Sequence, residues 1–408
     1  MGNLHYTCQE LYSAQISIID DLVDLEGSIR SIKNDNSEIN IKISNIVKFA
    51  NGKNRPLSDK EKTDIGLYQN EILNNDYAIK ILRYGRWLYR YVGDGIAWRI
   101  YKYNREAIRA LGNKESVPFI SKQEGISKEI KIFKAIRSLG RKWLPLMHDI
   151  TNCLRTADFS IFYGGKLYRI IELKIRNSNT KVDNSRGKKS YNDARQIRQE
   201  KHLDNIFKFW QTGNLEFLDA ELIGGISIKS KIPEKYNFRD ISKVIRLARK
   251  KGFGYTQIEY GLLYIAWDMY KSSIDDAIRE VTIKYPHIFE TLMTFRAIYP
   301  RYNEYHLSLP ITAMEISAKD IIGLIFNKFG LVCLLNYQCV EEYLNKNGLP
   351  IHFEIKNNKL IRIITKTIPL GEVREGLWDR IFFEGLSLDT FNDLIKEIIK
   401  EKELEPIM

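Results

Sequence analysis

Residues 156–176, "TADFSIFYGGKLYRIIELKIR", have the pattern of two β-strands joined at the double glycine Gly164–Gly165. The strands are rich in Ile, Phe, Leu and Tyr, yet they also carry Asp158, Glu172 and Lys174. Removing an unpaired carboxylate or ammonium group from water costs on the order of several kcal/mol. These three charged residues therefore need either a compensating partner or a function.

The turn decides whether the three charged side chains meet. Glu172 and Lys174 are two residues apart, so they project from the same face of an extended strand. If Gly164–Gly165 alone form the loop, Asp158 pairs with Ile171 and points away from Glu172; if the loop also includes Lys166, Asp158 stands opposite Glu172. A functional site on this hairpin therefore requires the longer loop or a β-bulge.

The chemistry of such a site would follow from its charges. Two carboxylates that meet repel each other, and a divalent Mg²⁺ or Mn²⁺ ion, which prefers oxygen ligands, would relieve that repulsion. A lysine beside the metal could orient a water molecule or stabilise charge on phosphate oxygens. Asp158, Glu172 and Lys174 meet these requirements.

The segment "ADFSIFYGGKLYRIIELK" resembles the PD-(D/E)XK nuclease superfamily, whose signature is an aspartate on one hairpin strand and Glu-x-Lys on the next. Ala157 replaces the proline that usually precedes the aspartate. The resemblance covers roughly residues 115–230 and implies a restriction-endonuclease-like fold. It also implies that Asp158, Glu172 and the carbonyl of Leu173 hold the metal, with Lys174 positioning the nucleophilic water.

Members of this superfamily often add a glutamate from the helix before the hairpin, and "EGISKE" offers Glu129 with Glu124 as a rival. At about 100° per residue, Glu129 falls on the apolar stripe of Ile130, Phe133 and Ile136, and Glu124 falls on the far side. A glutamate on a buried stripe is anomalous, so Glu129 is the predicted additional metal ligand.

The segment after the hairpin is basic, with nine Lys and Arg against three Asp and Glu in residues 174–201. By the same resemblance, the helix in "ARQIRQE" contributes polar side chains to the site. The predicted nucleic-acid-binding residues are Gln196, Gln199, Arg195, Arg198, Lys188 and Lys189. A solvated loop followed by an exposed helix face is the alternative for these residues.

Glu-x-Lys alone is weak evidence, because it occurs three times: Glu129/Lys131, Glu172/Lys174 and Glu354/Lys356. The first is in a predicted helix, and a predicted helix precedes the third instead of an aspartate-bearing strand.

Residues 83–105 are a separate candidate for nucleic-acid binding, with seven aromatic and six basic side chains. They could stack on bases, but inward packing of the rings with outward arginines is favoured, with Gly93 and Gly95 marking a break between two helices.

The whole chain is basic, with 63 Lys and Arg against 51 Asp and Glu, a net charge of +12 and a pI near 9.2. This excess suits a polyanionic partner such as nucleic acid.

Four scattered cysteines without a CxxC pair indicate neither a disulfide framework nor structural zinc. With neither a signal-like start nor an unbroken apolar span, we expect a cytoplasmic protein that does not enter a membrane.

Three regions are expected along the 408 residues. Residues 1–112 have helical periodicity and predict a helical N-terminal domain. Residues 113–270 alternate helices and strands and predict the nuclease core, an α/β mixed sheet flanked by helices. Residues 271–408 predict a mixed α+β C-terminal region to which the sequence assigns no role.

The resemblance implies a metal-dependent nuclease acting on phosphodiester bonds, with DNA as the expected substrate and defence against foreign or phage DNA as the expected role. A non-catalytic nucleic-acid-binding protein or assembly subunit that retains the fold, or an RNase, is the alternative. A homodimer and a separate partner subunit both remain open. Endonuclease activity is expected over exonuclease activity.

Overall fold

The computed structural model describes residues 7–112, 126–173, 201–212, 234–290, 293–300, 308–356, 359–365, 369–372 and 380–404. The chain divides into two compact units, residues 1–222 and residues 223–408. The first unit includes both the expected helical region and the candidate hairpin. The expected boundaries at 112/113 and 270/271 do not coincide with this division.

A long helical hairpin begins the first unit. Helix α1 spans Cys8–Gly52 and helix α2 spans Asp59–Ile100, and a capping box starts each of them, Thr7 with Glu10 and Ser58 with Glu61. The helices run antiparallel, because Asn36 bonds to Asp76 and Asn75 at one level while Glu26 pairs with Arg86 and Arg90 at another. The helical expectation for this region is confirmed.

Four of the seven aromatic residues of 83–105, Trp87, Tyr91, Trp98 and Tyr101, are buried, whereas Tyr84 is exposed. Two arginines of this segment are also buried rather than outward-facing, since Arg90 pairs with Glu26 and Arg105 lies 5.1 Å from the Trp98 ring. The predicted break at Gly93 and Gly95 is wrong, because α2 continues through both. Favourable packing at this point outweighs the low helix propensity of glycine.

A three-stranded antiparallel sheet lies against this hairpin, in the order β1 (Trp143–Met147), β2 (Phe159–Tyr163) and β3 (Lys166–Ile171). The described residues of this unit also form the helices α3 (Arg105–Gly112), α4 (Ile126–Ser138) and α5, residues 201–212. A short 3₁₀ turn, His148–Ile150, follows β1. Phe133 of α4 and Phe159 of β2 are fully buried and pack together, so the core lies between α4 and the sheet.

The free edge of β1 is covered by a side chain of α1. Gln15 is fully buried; its amide group donates to the Pro145 carbonyl at 3.0 Å, and its carbonyl oxygen accepts from the Met147 amide at 3.2 Å. These are the backbone groups that a neighbouring strand would otherwise satisfy. The helical hairpin is therefore hydrogen-bonded to the sheet that carries the candidate site.

The second unit contains two antiparallel sheets. Its main helices and strands are α6 (Phe238–Lys251), β4 (Phe253–Glu259), β5 (Leu262–Asp268), α7 (Ile274–Lys284), β6 (Met293–Ala297), α8 (Ala318–Ile325), β7 (Phe329–Asn336), α9 (Tyr337–Lys346), β8 (Ile351–Lys356), β9 (Lys359–Thr365), β10 (Pro369–Glu372) and α10 (Leu388–Leu404). One sheet has the order β4-β5-β7-β6 and the other has the order β10-β9-β8. Residues 271–408 contain both helices and strands, as expected. Strands β4 and β5 fall within residues 113–270, the region expected to form the nuclease core, but they belong to this unit.

Among the described residues, none of the helices has an apolar stretch long enough to cross a bilayer. The four cysteines form no disulfide, and three of them, Cys153, Cys333 and Cys339, are buried. The helices and sheets of the two units make the overall class mixed α/β, with a helical N-terminal region.

Candidate functional site

The turn between β2 and β3 consists of Gly164 and Gly165 alone, because Tyr163 pairs directly with Lys166. Both glycines have positive φ, +57° and +75°. Two successive residues in the left-handed region define the two-residue hairpin turn that matches strand twist, and glycine adopts it without steric cost. By itself this turn would aim Asp158 away from Glu172.

A β-bulge changes that outcome. Phe162 pairs with Leu167 but Ile161 pairs with Arg169, so Tyr168 is an extra residue on β3. The shifted register continues to the pair Phe159–Ile171. The bulge is the kind of irregularity that a functional site on this hairpin requires, and it shifts β3 towards the register in which Asp158 would stand opposite Glu172. The paired residues end at Phe159 and Ile171.

Asp158 holds the end of β3 in place. Its backbone amide donates to the Ile171 carbonyl at 3.1 Å, and its Oδ2 accepts a hydrogen bond from the Leu173 amide. The strand ends at Ile171, so Glu172 and Leu173 follow it immediately, and both are half-buried. The carboxylate of Asp158 is thus fixed beside the Glu-x-Lys segment.

Glu129 reaches the same region from α4. Its side chain is only 5% exposed, and within the described part of the chain its Oε2 atom has no hydrogen-bond partner. Burial raises the pKa of Glu129 to about 7, and the negative charges of Asp149 and Asp158 contribute to the rise. Glu129 therefore lies on the buried face of α4, near the other acids, as its position on the apolar stripe of this helix predicted.

Asp149 is the site residue that sequence reasoning missed. It lies in the 3₁₀ turn after β1, half-buried, and its charge acts on Glu129 and on the buried Arg90 of α2. Burial lowers the pKa of Arg90 to about 10, and Asp149 is one of the acids that oppose this lowering. The sequence does contain an indication of this position, because "HDI" directly follows the apolar run "WLPLM" of strand β1.

The loop after β1 is anchored from two sides. Asp94 of α2 is buried and accepts hydrogen bonds from the backbone amides of Asn152 at 2.6 Å and Cys153 at 2.8 Å. His148 is buried; its amide donates to the Asp158 carbonyl at 2.9 Å, and its Nε2 lies 2.7 Å from the Ser160 hydroxyl. His148 is therefore a structural residue that ties β1 to β2.

Several predicted residues lie outside the described part of the chain: Lys174, Lys188, Lys189, Arg195, Gln196, Arg198 and Gln199, together with the rival Glu124. Their roles stay predictions. The other strand-borne Glu-x-Lys pair does not resemble the candidate site, because Glu354 on β8 is exposed and stands opposite Arg362, not an aspartate.

The structure thus brings Glu129, Asp149, Asp158 and the Glu172–Leu173 segment to one end of the sheet. Within the described residues, no group of three or more His, Cys, Asp or Glu side chains is spaced to hold a metal ion. The chain matches no family model, no curated protein and no solved structure. What the site does must therefore be argued from its own chemistry.

Proposed function

We propose that the protein is a metal-dependent nuclease with a restriction-endonuclease-like core, which hydrolyses phosphodiester bonds of DNA. The observation that carries this proposal is the meeting of acids at the end of the hairpin: the Asp158 carboxylate accepts a hydrogen bond from the Leu173 amide, next to Glu172, and the charge of Asp158 acts on the buried Glu129. The bulge at Tyr168 supports the proposal, because it shifts β3 by one residue towards the register in which Asp158 would stand opposite Glu172.

The oxygen donors at this end of the sheet are of the kind that a divalent cation prefers, although the described residues do not include three such side chains at metal-ligand spacing. Glu129 keeps a buried carboxylate oxygen without a hydrogen-bond donor among the described residues, and burial together with the charges of two more acids raises its pKa. Clustered anionic oxygens are the ligands that Mg²⁺ and Mn²⁺ prefer. Asp158, Glu172, the Leu173 carbonyl and Glu129 are the groups that would hold the ion. A bound ion would supply an activated water and offset charge on the phosphate oxygens.

The chain's own groups have separate tasks in this proposal. Burial raises the pKa of Glu129 to about 7 in the metal-free protein; a bound cation would favour its carboxylate form, which would then support the ion or its water. Lys174 follows Glu172 by two residues, so in an extended segment both would project to the same side, where Lys174 would position the nucleophilic water. Asp158, bonded to the Leu173 amide, keeps this segment aligned.

The test is cleavage by matched variants. Wild type, Glu172→Gln and Lys174→Ala are compared on supercoiled plasmid, linear duplex, single-stranded DNA and RNA, with Mg²⁺, Mn²⁺ or EDTA. Glu354→Gln and Lys356→Ala are the controls, because they alter the other strand-borne Glu-x-Lys pair. We expect the wild type and both controls to cleave in metal and not in EDTA, and both site variants to be inactive.

Cleavage by Lys174→Ala at the wild-type rate would overturn this mechanism. Cleavage of RNA with DNA left intact would replace the proposed substrate. Cleavage that starts within closed plasmid would support endonuclease action. A role in defence against foreign DNA rests on family analogy alone, and loss of protection against phage in a host expressing Glu172→Gln would support it.

One observation favours a second candidate, a non-catalytic nucleic-acid-binding protein. The described residues include no metal-holding group of three side chains, and the Asp158 carboxylate is already bonded to the Leu173 amide. This candidate predicts salt-dependent DNA binding without cleavage in either metal. Equal binding by the wild type and Glu172→Gln, with neither cutting, would favour it.

A further inference from the structure

A cluster of aromatic side chains lies at the tip of the candidate hairpin. Trp143 at the start of β1 stands opposite Tyr163 at the end of β2, with ring centroids 4.9 Å apart. The Tyr168 ring lies 5.1 Å from Trp143 and nearly perpendicular to it, at 82°. Tyr163 is 45% exposed and Tyr168 is 57% exposed, so solvent reaches much of both rings.

The bulge at Tyr168 links this cluster to the acids. A β-bulge redirects the side chain of the inserted residue as well as shifting the register. Here Tyr168 is the inserted residue, and it is the one that contacts Trp143. The same shift sets Ile171 opposite Phe159, at the end of the strand that Glu172 follows. One irregularity in β3 therefore affects both the aromatic cluster and the acidic end of the hairpin.

A groove of about 750 Å³ runs beside β3. Its lining along the strand runs from Leu167 and Tyr168 to Glu172, and α5 contributes Leu203, Asp204, Phe207 and Gln211. Glu172 is four positions after Tyr168, a distance of roughly 13 Å along an extended chain. The groove thus extends from the aromatic cluster to the proposed reaction centre. A few nucleotides would span this length.

The surface around the cluster is positively charged. Residues 137–147 and 163–171 contain five basic side chains and no acidic one. Four of the five, Arg141, Lys142, Lys166 and Arg169, are exposed. Arg137 is already bonded to the carbonyls of Gly140 and Trp143. Two acids line the groove, Asp204 on α5 and Glu172 at its far end from the cluster, so the positive charge surrounds the aromatic end of the groove.

On these observations, and on the proposed function, we infer that the Trp143–Tyr163–Tyr168 cluster is a stacking site for the unpaired bases of single-stranded DNA. The strand follows the groove beside β3 and presents a phosphodiester near Glu172. Bases in a duplex have their faces covered by neighbouring pairs, whereas unpaired bases are free to stack on aromatic rings. The exposed cations hold the phosphate backbone.

Cross-strand packing is the competing explanation, since aromatic pairs also stabilise hairpins. The two explanations differ in what they require of the side chain at position 168. Packing against Trp143 needs an apolar side chain, which leucine supplies. Stacking on a base needs a flat ring, which leucine lacks and phenylalanine retains. Tyr168→Leu and Tyr168→Phe therefore separate the two.

The experiment is fluorescence anisotropy with a labelled single-stranded oligonucleotide and its duplex, in EDTA so that no cleavage occurs. Wild type is compared with Tyr168→Leu, Tyr168→Phe and the control Tyr270→Leu, which alters an 82% exposed tyrosine of the second unit. We expect Tyr168→Leu to bind single-stranded DNA about tenfold more weakly than the wild type. Tyr168→Phe, Tyr270→Leu and duplex binding should change less than about twofold.

Thermal unfolding of each variant shows whether position 168 affects folding. Unchanged single-strand binding by folded Tyr168→Leu, or an equal loss on single strand and duplex, would overturn the inference. Tighter binding of single-stranded RNA than of DNA would overturn the choice of DNA. Because binding is read without metal, a wild type that binds through Tyr168 but never cleaves would refute the proposed nuclease and keep the stacking site. Metal-dependent cleavage, together with single-strand binding that does not change in Tyr168→Leu, would support the proposed nuclease and refute the stacking site.

Discussion

Gly93 of α2 lies directly against the backbone of Ile150, so that a Cβ atom on Gly93 would stand 2.0 Å from the Ile150 carbonyl oxygen. Ile150 ends the 3₁₀ turn that carries His148 and Asp149. This contact brings the helical hairpin as close to the acidic end of the sheet as backbone atoms allow. The helical region is therefore part of the support of the candidate site.

Gly93→Ala should destabilise the first unit by about 1–3 kcal/mol, because the backbone of the turn or the helix must move. Gly66→Ala is the matched control in the same helix, since no atom lies within 4 Å of its added Cβ. It should stabilise by roughly 0.5–1 kcal/mol through higher helix propensity. Urea unfolding followed by circular dichroism measures both. Equal effects of the two substitutions would contradict the contact.

Asp94 predicts a pH dependence of stability. Burial raises its pKa to about 6 from 3.8, against the opposing effect of hydrogen bonds from Asn152 and Cys153. A carboxyl group whose pKa is raised by folding stabilises the protein below its unfolded pKa, and this contribution is lost as the pH rises through the folded pKa. The shift corresponds to about 3 kcal/mol.

The free energy of unfolding of the wild type, minus that of Asp94→Asn, should therefore fall between pH 4 and pH 6 and be constant above that range. The subtraction removes the other titrating groups, which both proteins share. Denaturant titrations at a series of pH values give the difference. A difference that increased with pH would mean that the donors outweigh burial and hold the pKa of Asp94 below its ordinary value.

The sequence was sufficient to predict the local elements of the site but not their relative arrangement. The double glycine and the flanking apolar strands predicted the β2–β3 hairpin, and helical periodicity predicted that Glu129 points inward. The register remained open between two loops. The bulge at Tyr168 decides the register as far as Phe159 and Ile171, and Tyr168 packs against Trp143 of a third strand, a contact that no local pattern encodes.

Tertiary contacts explain the other differences. Gly93 and Gly95 have the pattern of a helix break, but close packing against Ile150 makes a glycine at 93 necessary inside a continuous helix. Asp149 was not distinguishable from an ordinary loop acid until the turn after β1 was placed beside α4 and α2. Arg90 is buried because Glu26 of the other long helix pairs with it.

The edge of β1 gives a prediction on hydrogen bonding. Gln15→Ala leaves the Pro145 carbonyl and the Met147 amide without the side chain that bonds both, and each buried unsatisfied group costs about 1–3 kcal/mol. Gln15→Leu keeps most of the volume but neither bond, so it should lose nearly as much stability. Gln69→Ala, at an exposed position of α2, should be close to neutral. A stable Gln15→Leu protein would show that the volume of Gln15 matters and its hydrogen bonds do not.

The proposed metal site predicts effects of opposite sign with and without the ion. In EDTA, Glu129→Gln should unfold at a higher temperature than the wild type above pH 7, because it removes a buried charge that Asp149 and Asp158 repel. With Mn²⁺ or Mg²⁺ the wild type should gain stability by mass action, about 2.7 kcal/mol at a concentration one hundred times the dissociation constant. Glu129→Gln and Asp158→Asn should gain much less, and the control Glu354→Gln should gain as much as the wild type.

Differential scanning fluorimetry across a metal titration measures the unfolding temperature of all four proteins. An equal metal-dependent gain in Asp158→Asn would place the ion elsewhere, and no gain in any of them would show that these carboxylates do not hold one.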